Sequence, residues 1–300
     1  VSTLKTMEDG IKVKELLNKE ENQKIAIIGA GFIGLEAVEA AKEYGKEVSV
    51  FQLEDRILKE VFDKEVTDLL EEELKNKGVN LFLNSKVVEL KGDIKVTKVV
   101  TENEEIDADL VILATGVKPN TAFLKGTGIE MLKNGAIVVD KEGKTSIEDI
   151  YSAGDCATVT HLLKPEPAYI PLATVANKFG RVVGENLGGK GLEYEGSLGS
   201  ACIKVLGMEA GRTGLTESEA TNLGINYKTV FITDKNQTDY YPGQENIAIK
   251  LIYNGDTKVI LGAQVVGKKD AEQLGMMDFC YSPPFARTWD VLNRAGNVAK

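Results

Sequence analysis

A parallel α/β domain followed by a separate α+β domain is the architecture this sequence predicts, on three observations. From Lys24 to Leu83, strand-like apolar runs alternate with helical stretches in the order β-α-β-α-β, which requires a parallel sheet with helices packed on its faces. The run ADLVILATG, 108–116, is apolar without alternation, as a strand buried on both faces must be. After Gly191 the helical spacing gives way to SACIKVL, KTVFITD, NIAIKLIY and VILGAQVVG, a set of short strands with turn residues between them.

Each element has a local reason. Ile11, Val13, Leu16 and Leu17 make residues 8–20 a short amphipathic helix, and the charged NKEENQ that follows reads as a linker. KIAIIGAG is a buried strand running into a turn. Ile33, Ala37, Ala40, Ala41 and Tyr44 then recur at helical spacing until Gly45, a residue favoured just past a helix end. EVSVF is the second strand, and Asp63 is a good N-cap for a helix carrying Val66, Leu69, Leu70 and Leu74. VNLFL closes the unit, with two shorter β segments near Val87–Leu90 and Lys95–Thr101. IYSAGD reads as a further strand, and a helix is expected from Leu172 to Leu187, ending at Gly188-Gly189. In LTESEATNLG, Thr216 and Glu219 have capping-box spacing, and NGDTK reads as a hairpin turn.

Composition narrows the function. A net charge of −10 argues against nucleic acid or anionic membrane as the main partner, since both call for a basic surface. Cys156, Cys202 and Cys280 form no CxxC pair, and His161 is the single histidine. Neither a zinc site nor a disulfide scaffold is therefore expected, and a reducing, cytoplasmic location is. No apolar run nears the roughly 20 residues that span a bilayer.

The chemistry begins at Gly29-Ala30-Gly31-Phe32-Ile33-Gly34. This G-x-G-x-x-G loop leaves a strand and opens a helix, the context of a dinucleotide site. Gly29 permits the tight turn, Gly31 lets backbone approach a pyrophosphate, and Gly34 allows close helix–strand packing. The ribose is expected at the end of the second strand, where Gln52 stands with Glu54 two residues on. Gln52 can bond a ribose hydroxyl without repelling a 2′-phosphate; NADH is the expected donor, with NADPH open.

Downstream lie ATGVKPN (114–120) and TSIEDIYSAGDCA (145–157), followed by YIPLATVANKFGR, YYPG and MMDFCYSPPFARTWDVLN. With the glycine loop, these motifs resemble the FAD-dependent pyridine nucleotide-disulfide oxidoreductases, in the branch of CoA-disulfide reductases, NADH oxidases and NADH peroxidases. The resemblance covers essentially the whole chain.

The resemblance implies a Rossmann-like NAD(P)-binding domain inserted in an FAD-binding domain, with a C-terminal α+β dimerisation domain. Residues 1–22 are expected to belong to the FAD domain, 23–143 to bind NAD(P)H, 144–190 to complete the FAD domain and 191–300 to dimerise. The flavin's own glycine loop and the redox-active cysteine are expected upstream of Val1, so this stretch alone should not turn over. A second break, of about one helix, is expected between Ala271 and Glu272.

The resemblance also assigns roles. Asp155 would accept hydrogen bonds from the flavin's ribityl chain, with Gly154 allowing close approach. Pro171, Leu172, Ala173 and Thr174 match the helix start beside the isoalloxazine ring. Gly116 and Ile33 match the nicotinamide lining, and Glu36 would help orient that ring. Tyr281 and the pair Tyr240/Tyr241 match tyrosines that reach a partner subunit's active site near the reactive sulfur. Cys156 and Cys202 read as packing residues, Cys280 as interface and His161 as a surface histidine. The implied function is transfer of electrons from NAD(P)H through FAD and a cysteine to CoA-disulfide or polysulfide. The rivals are an NADH oxidase or peroxidase using O2 or H2O2, a flavin reductase serving a partner protein, and a non-catalytic nucleotide-binding dimerisation module.

Overall fold

A computed structural model describes residues 1–236 and 242–268. The chain opens with β1 (Ser2–Thr3), α1 (Met7–Asn18), β2 (Lys24–Ile28), α2 (Phe32–Glu43), β3 (Glu47–Phe51), α3 (Lys64–Asn76) and β4 (Val79–Phe82). A second group, β5 (Val87–Gly92), β6 (Val96–Thr101) and β7 (Glu105–Asp107), precedes β8 (Leu110–Leu113). The parallel sheet has the order β1-β8-β2-β3-β4.

Residues alternate across this sheet as the strand period requires. Ile25, Ile27, Val48, Val50, Leu110 and Ile112 face one core, shared with α1, α2 and α3. Ala26, Phe51 and Val111 face another. The expectation of helices on both faces is corrected here: the second face is covered by the antiparallel sheet β5-β6-β7 through Val96 and Val99. Residues 1–22 pack on this sheet through the β1–β8 pairing and the buried Val13 and Leu17.

Past β8 come β9 (Val159–Thr160), β10 (Pro167–Ala168) and α4 (Ala173–Leu187). Val159, Val175, Phe179 and Val183 form a separate small core, with Tyr194 stacked on Phe179 at 5.2 Å between centroids. The expected strand IYSAGD does not form. Tyr151 makes a single bridge to Lys144, and a strand needs a ladder of partners that the described residues do not supply.

The C-terminal unit contains β11 (Ala201–Val205), β12 (Met208–Gly214), α5 (Glu217–Asn222), β13 (Tyr227–Lys235), β14 (Asn246–Asn254) and β15 (Ile260–Gly267). Its antiparallel sheet runs β11-β12-β15-β14-β13. Strand β12 went unforeseen because MEAGRTG is rich in glycine and charge, yet it lies between β11 and β15. Ile203, Val205, Ala210, Ala248 and Val266 pack into the same core as α2 and α3. Cys202, expected in the core, is exposed, because alternation along β11 turns its neighbour Ile203 inward.

A charged junction joins this sheet to α3. Lys250, on β14, is fully buried and reaches Glu65 at 2.6 Å, Glu217 at 2.8 Å and Asp63 at 3.6 Å. Asp63 occupies the α3 N-cap position but makes no capping bond. Its carboxylate accepts from the Gln264 side chain at 2.7 Å and the Glu217 N–H at 3.1 Å. Burial opposes the Lys250 charge, but bonds to Glu217 and Glu65 prevail and hold its pKa above the ordinary lysine value.

Beside it, the Arg212 guanidinium donates to the Val61 carbonyl at 2.8 Å, to the Gly214 carbonyl and to Glu219 at 3.0 Å. Lys164 adds a bond to Glu219 at 2.6 Å. The capping box of Thr216 and Glu219 forms as expected. Burial raises the Glu219 carboxyl, but the Lys164 bond, the Thr216 N–H and Arg212 outweigh it and hold it at about 2. His161, expected at the surface, is buried, with Nδ1 accepting from the Leu163 N–H at 3.1 Å. Desolvation lowers its pKa, and the Lys164 charge adds to the effect.

Two outcomes are expected. Lys250→Met should cost about 3 kcal/mol, since it strands buried Asp63 beside two carboxylates, and adding Asp63→Asn should recover part of it; denaturant melts of the wild type, both single variants and the double variant check this. Glu219 is held below its unfolded value of about 4.3, so its contribution is present above that pH and lost as pH falls towards 2. Glu219→Gln should flatten the fall in thermal midpoint across that window.

Candidate functional site

The glycine loop sits where β2 hands over to α2, at the carboxyl edge of the parallel sheet. Gly29 has φ +105°, and a Cβ there would lie 2.2 Å from the Ala114 carbonyl oxygen. A Cβ on Gly34 would lie 1.9 Å from the Gly29 carbonyl oxygen. The protein's own backbone therefore demands both glycines, and it brings residues 114–116 against the loop. Gly31 differs: it is exposed, and a Cβ there would meet no protein atom within 4 Å. The open side of the loop at Gly31 leaves room for the close approach that a pyrophosphate needs.

Ala30 is held from both sides. Its N–H donates to Gln52 Oε1 at 3.0 Å, and its carbonyl accepts from the Leu58 N–H at 3.0 Å. The 53–62 segment that supplies Leu58 is itself fixed by the Ile57 N–H, which donates to buried Glu71 at 3.1 Å. Burial raises the Glu71 carboxyl, against the Ile57 bond that lowers it. Gln52, expected to reach the ribose, thus spends its oxygen on the loop. Glu54 forms an ion pair with Lys59 at 2.8 Å, and Lys59 also meets Asp55 at 3.2 Å.

Five α-helices lie among the described residues, and their beginnings divide. Helices α1 and α5 start with capping boxes, and α3 carries Glu65 in its first turn. Helices α2 and α4 have neither a side-chain cap nor an acid in the first turn. These are the two helix starts at which the sequence places cofactors. Bare first-turn N–H groups suit the anionic atoms of a nicotinamide nucleotide and of a flavin. Ala173 and Thr174 are exposed at the α4 start, after Leu172 in the N-cap position and Pro171 before it.

Gly154 and Asp155 stand beside this second helix start. Ala153, Ile170 and Leu172 share one apolar cluster, and the Tyr169 hydroxyl donates to the Asp155 carbonyl at 3.0 Å. The Asp155 side chain is exposed, and no protein group among the described residues hydrogen-bonds to it. Tyr169 was not foreseen; the signal available was a tyrosine two residues before Pro171 in the quoted motif. Around α2, Phe32 and Ile33 are half-buried and Glu36 is exposed, while Gly116 is exposed at φ +101°. The geometry therefore gathers Gly29, Gly31, Gly34, Gln52 and residues 114–116 into one place, and Gly154, Asp155 and Leu172 into another. Tyr240, Tyr241, Tyr281 and Cys280, and the break expected after Ala271, lie outside the described residues.

Cys156 is half-buried, with Sγ 3.4 Å from the Ala153 carbonyl and 3.6 Å from Ser152 Oγ. No helix among the described residues is long and apolar enough to cross a membrane.

Comparison with known proteins is specific. Residues 3–180 match the pyridine nucleotide-disulphide oxidoreductase family, and residues 200–282 match that family's dimerisation domain. The chain is 40% identical over 308 residues to the NAD(P)H coenzyme A polysulfide/persulfide reductase of Pyrococcus horikoshii, covering 97% of this chain and 69% of that protein. It is 36% identical over 299 residues to the NADH oxidase of Enterococcus faecalis, covering 93% and 67%. The solved NAD-dependent persulfide reductase from A. fulgidus superposes with a TM-score of 0.85 at 34% identity over 99% of this chain, which spans 59% of that one.

The chain belongs to the pyridine nucleotide-disulphide oxidoreductase family. That membership bears out the family resemblance, the fold class of a parallel α/β unit with a dimerisation domain, and, at the level of the family, the oxidoreductase reading with its FAD and NAD(P)H cofactors.

The two loop glycines divide by cause, and their variants should divide likewise. Gly29→Ala should cost about 1–3 kcal/mol of stability through backbone strain and collision with Ala114. Gly31→Ala should leave the unfolding midpoint unchanged and weaken nicotinamide nucleotide binding by at least about tenfold, or 1.4 kcal/mol. Thermal melts and nucleotide titrations of both proteins check the contrast.

Proposed function

We propose that this chain is the nucleotide-binding and dimerising part of a cytoplasmic, homodimeric, FAD-dependent NAD(P)H oxidoreductase that reduces a sulfur substrate of disulfide type, such as CoA-disulfide or a polysulfide. The observation that carries the reading is the glycine loop on the bare start of α2, with the second bare helix start at α4 placed beside Gly154 and Asp155. The sulfur reductases of P. horikoshii and A. fulgidus, similar over nearly the whole chain, support the substrate class.

In this reading the α2 start and Gly31 hold the nicotinamide nucleotide's pyrophosphate, and Gly116, Ile33 and Glu36 bound the nicotinamide. Asp155 accepts hydrogen bonds from the flavin's polyol chain, held in place by Tyr169. The N–H groups at Ala173 and Thr174 offer positive potential to charge developing on the flavin ring. When bound, FAD supplies the redox chemistry, taking a hydride's electrons and passing them on. Tyr281, with Tyr240 or Tyr241, donates a hydrogen bond or proton to the departing thiolate. Residues 23–143 form the NAD(P)H-binding unit, 144–190 contribute to the FAD site and 191–300 dimerise. Cys156 and Cys202 are not proposed as the redox centre: the first is held against Ala153 and Ser152, and the second lies out on β11.

The test is the visible spectrum of the purified protein before any cofactor is added, followed by anaerobic turnover with NADH. A flavin band, with NADH oxidation driven by CoA-disulfide or polysulfide, is expected. Tyr281→Phe should then slow turnover by about 100-fold and leave NADH affinity unchanged. Oxidation driven by O2 or H2O2 but not by sulfur compounds would favour the second reading, supported by the E. faecalis NADH oxidase. A colourless protein that binds NADH would leave only the non-catalytic module.

A further inference from the structure

Behind the glycine loop stands a leucine in a backbone conformation that side chains disfavour. Leu58 is buried and has φ +48°, in the left-handed region where a Cβ crowds the following carbonyl. Such a conformation persists only where surrounding structure over-determines it. Here the Leu58 N–H donates to the Ala30 carbonyl at 3.0 Å, inside the loop between Gly29 and Gly31. Its own carbonyl accepts from the Val61 and Phe62 N–H groups at 2.8 and 3.0 Å.

The peptide on the other side is tied down by a carboxylate. Ile57, fully buried, donates its N–H to Glu71 Oε1 at 3.1 Å. Glu71 is 7% exposed, and among the described residues this is the one hydrogen bond its side chain makes. No cation among the described residues pairs with it; Lys64, on the same helix, is taken by Asp68 at 2.6 Å. A buried carboxylate without a cation is costly, and this one is spent on fixing Ile57. Peptide planes are rigid. With Glu71 holding the plane before Leu58 and Val61 and Phe62 holding the plane after it, the Leu58 N–H between them is directed at Ala30.

We propose that Glu71 is a positioning residue for nicotinamide nucleotide binding. Through Ile57 and left-handed Leu58 it sets the place of Ala30, and hence of the Gly31 backbone that meets the pyrophosphate. This rests on the reading of the glycine loop as a nicotinamide nucleotide site. Glu71 acts from the buried side of the loop, not from the side open at Gly31. Without its carboxylate the Ile57 N–H is left buried and unpaired, Leu58 relaxes from its strained φ, and the Ala30 carbonyl loses its donor.

The experiment measures NADH dissociation constants by titration calorimetry, and unfolding midpoints, on the full chain as wild type, Glu71→Leu, Glu71→Gln and Leu74→Ala. Glu71→Leu should weaken NADH by about tenfold, within the range for residues that act on a site without touching its ligand. Glu71→Gln, whose amide oxygen can take the same N–H, should restore affinity to within about twofold of the wild type. Leu74, fully buried on the same helix, controls for stability: Leu74→Ala opens a cavity and should lower the midpoint while leaving NADH affinity near wild type. A measurement on the wild type alone runs alongside, in which saturating NADH should slow amide hydrogen exchange at Ile57 and Leu58 more than at Leu74. Wild-type affinity in Glu71→Leu, no rescue by Glu71→Gln, an equal loss in Leu74→Ala, or exchange at Ile57 and Leu58 slowed no more than at Leu74 overturns the assignment. A wild type that binds no NADH overturns the nucleotide-site reading and the assignment with it.

Discussion

A single buried ammonium organises the contact between the two halves of this chain. Lys250 projects from β14, between β15 and β13, on a strand face otherwise lined by Ala248 and Ile252, with no solvent contact. An isolated charge there would be prohibitively costly, so the position is tolerable only while Glu65, Glu217 and Asp63 surround it. Those three belong to the start of α3 and the start of α5. The apolar contacts of Ile203, Val205, Ala210 and Val266 against α2 and α3 supply area. The charge cluster supplies register, because only one placement of the sheet lets every carboxylate reach the ammonium.

The glycine loop depends on that placement through α3. Glu71 on α3 holds Ile57, and the adjacent Leu58 holds the Ala30 carbonyl while Gln52 holds the Ala30 N–H. The same segment continues to Val61, whose carbonyl is taken by Arg212 of β12, and to Asp63 in the Lys250 cluster. The stretch 52–63 is thus bonded at one end to the glycine loop and at the other to the C-terminal sheet. It is a short physical path between the glycine loop and the C-terminal sheet.

How much of this could be read from the sequence follows from the range of each interaction. The glycine loop, the capping box of Thr216 and Glu219, and the turn between β14 and β15 are local patterns, and each formed where expected. Lys250 was invisible for the opposite reason: in NIAIKLIY a lysine reads as the outward member of an alternating strand, yet it shares the inward phase with Ala248 and Ile252. Arg212 hid in a glycine-rich strand that did not look like one. Asp63 looked like a cap, and it has the backbone position of one, but its carboxylate is drawn to groups far along the chain. IYSAGD has a strand's composition without a strand's partners. At the site, glycines and helix starts were legible because geometry alone demands them. The direction of the Gln52 amide was not, since it is decided by Ala30, distant in sequence and adjacent in space.

The junction also bears on how the chain reaches its fold. The contacts of Lys250 with Glu65, of Gln264 with Asp63 and of Glu217 with Asp63 close loops of 185, 201 and 154 residues. Contacts of such separation carry the greatest loop-closure entropy and form late, after the local β-α-β units have consolidated. During synthesis the parallel sheet is complete at β8, long before β14 emerges, so α3 must wait with Asp63 and Glu65 unpaired in water. Docking of the second sheet is therefore a distinct, slower event that ends by removing one ammonium from solvent. Until then the α2–α3 face remains an exposed apolar surface, the stage at which this chain is most open to association with its neighbours.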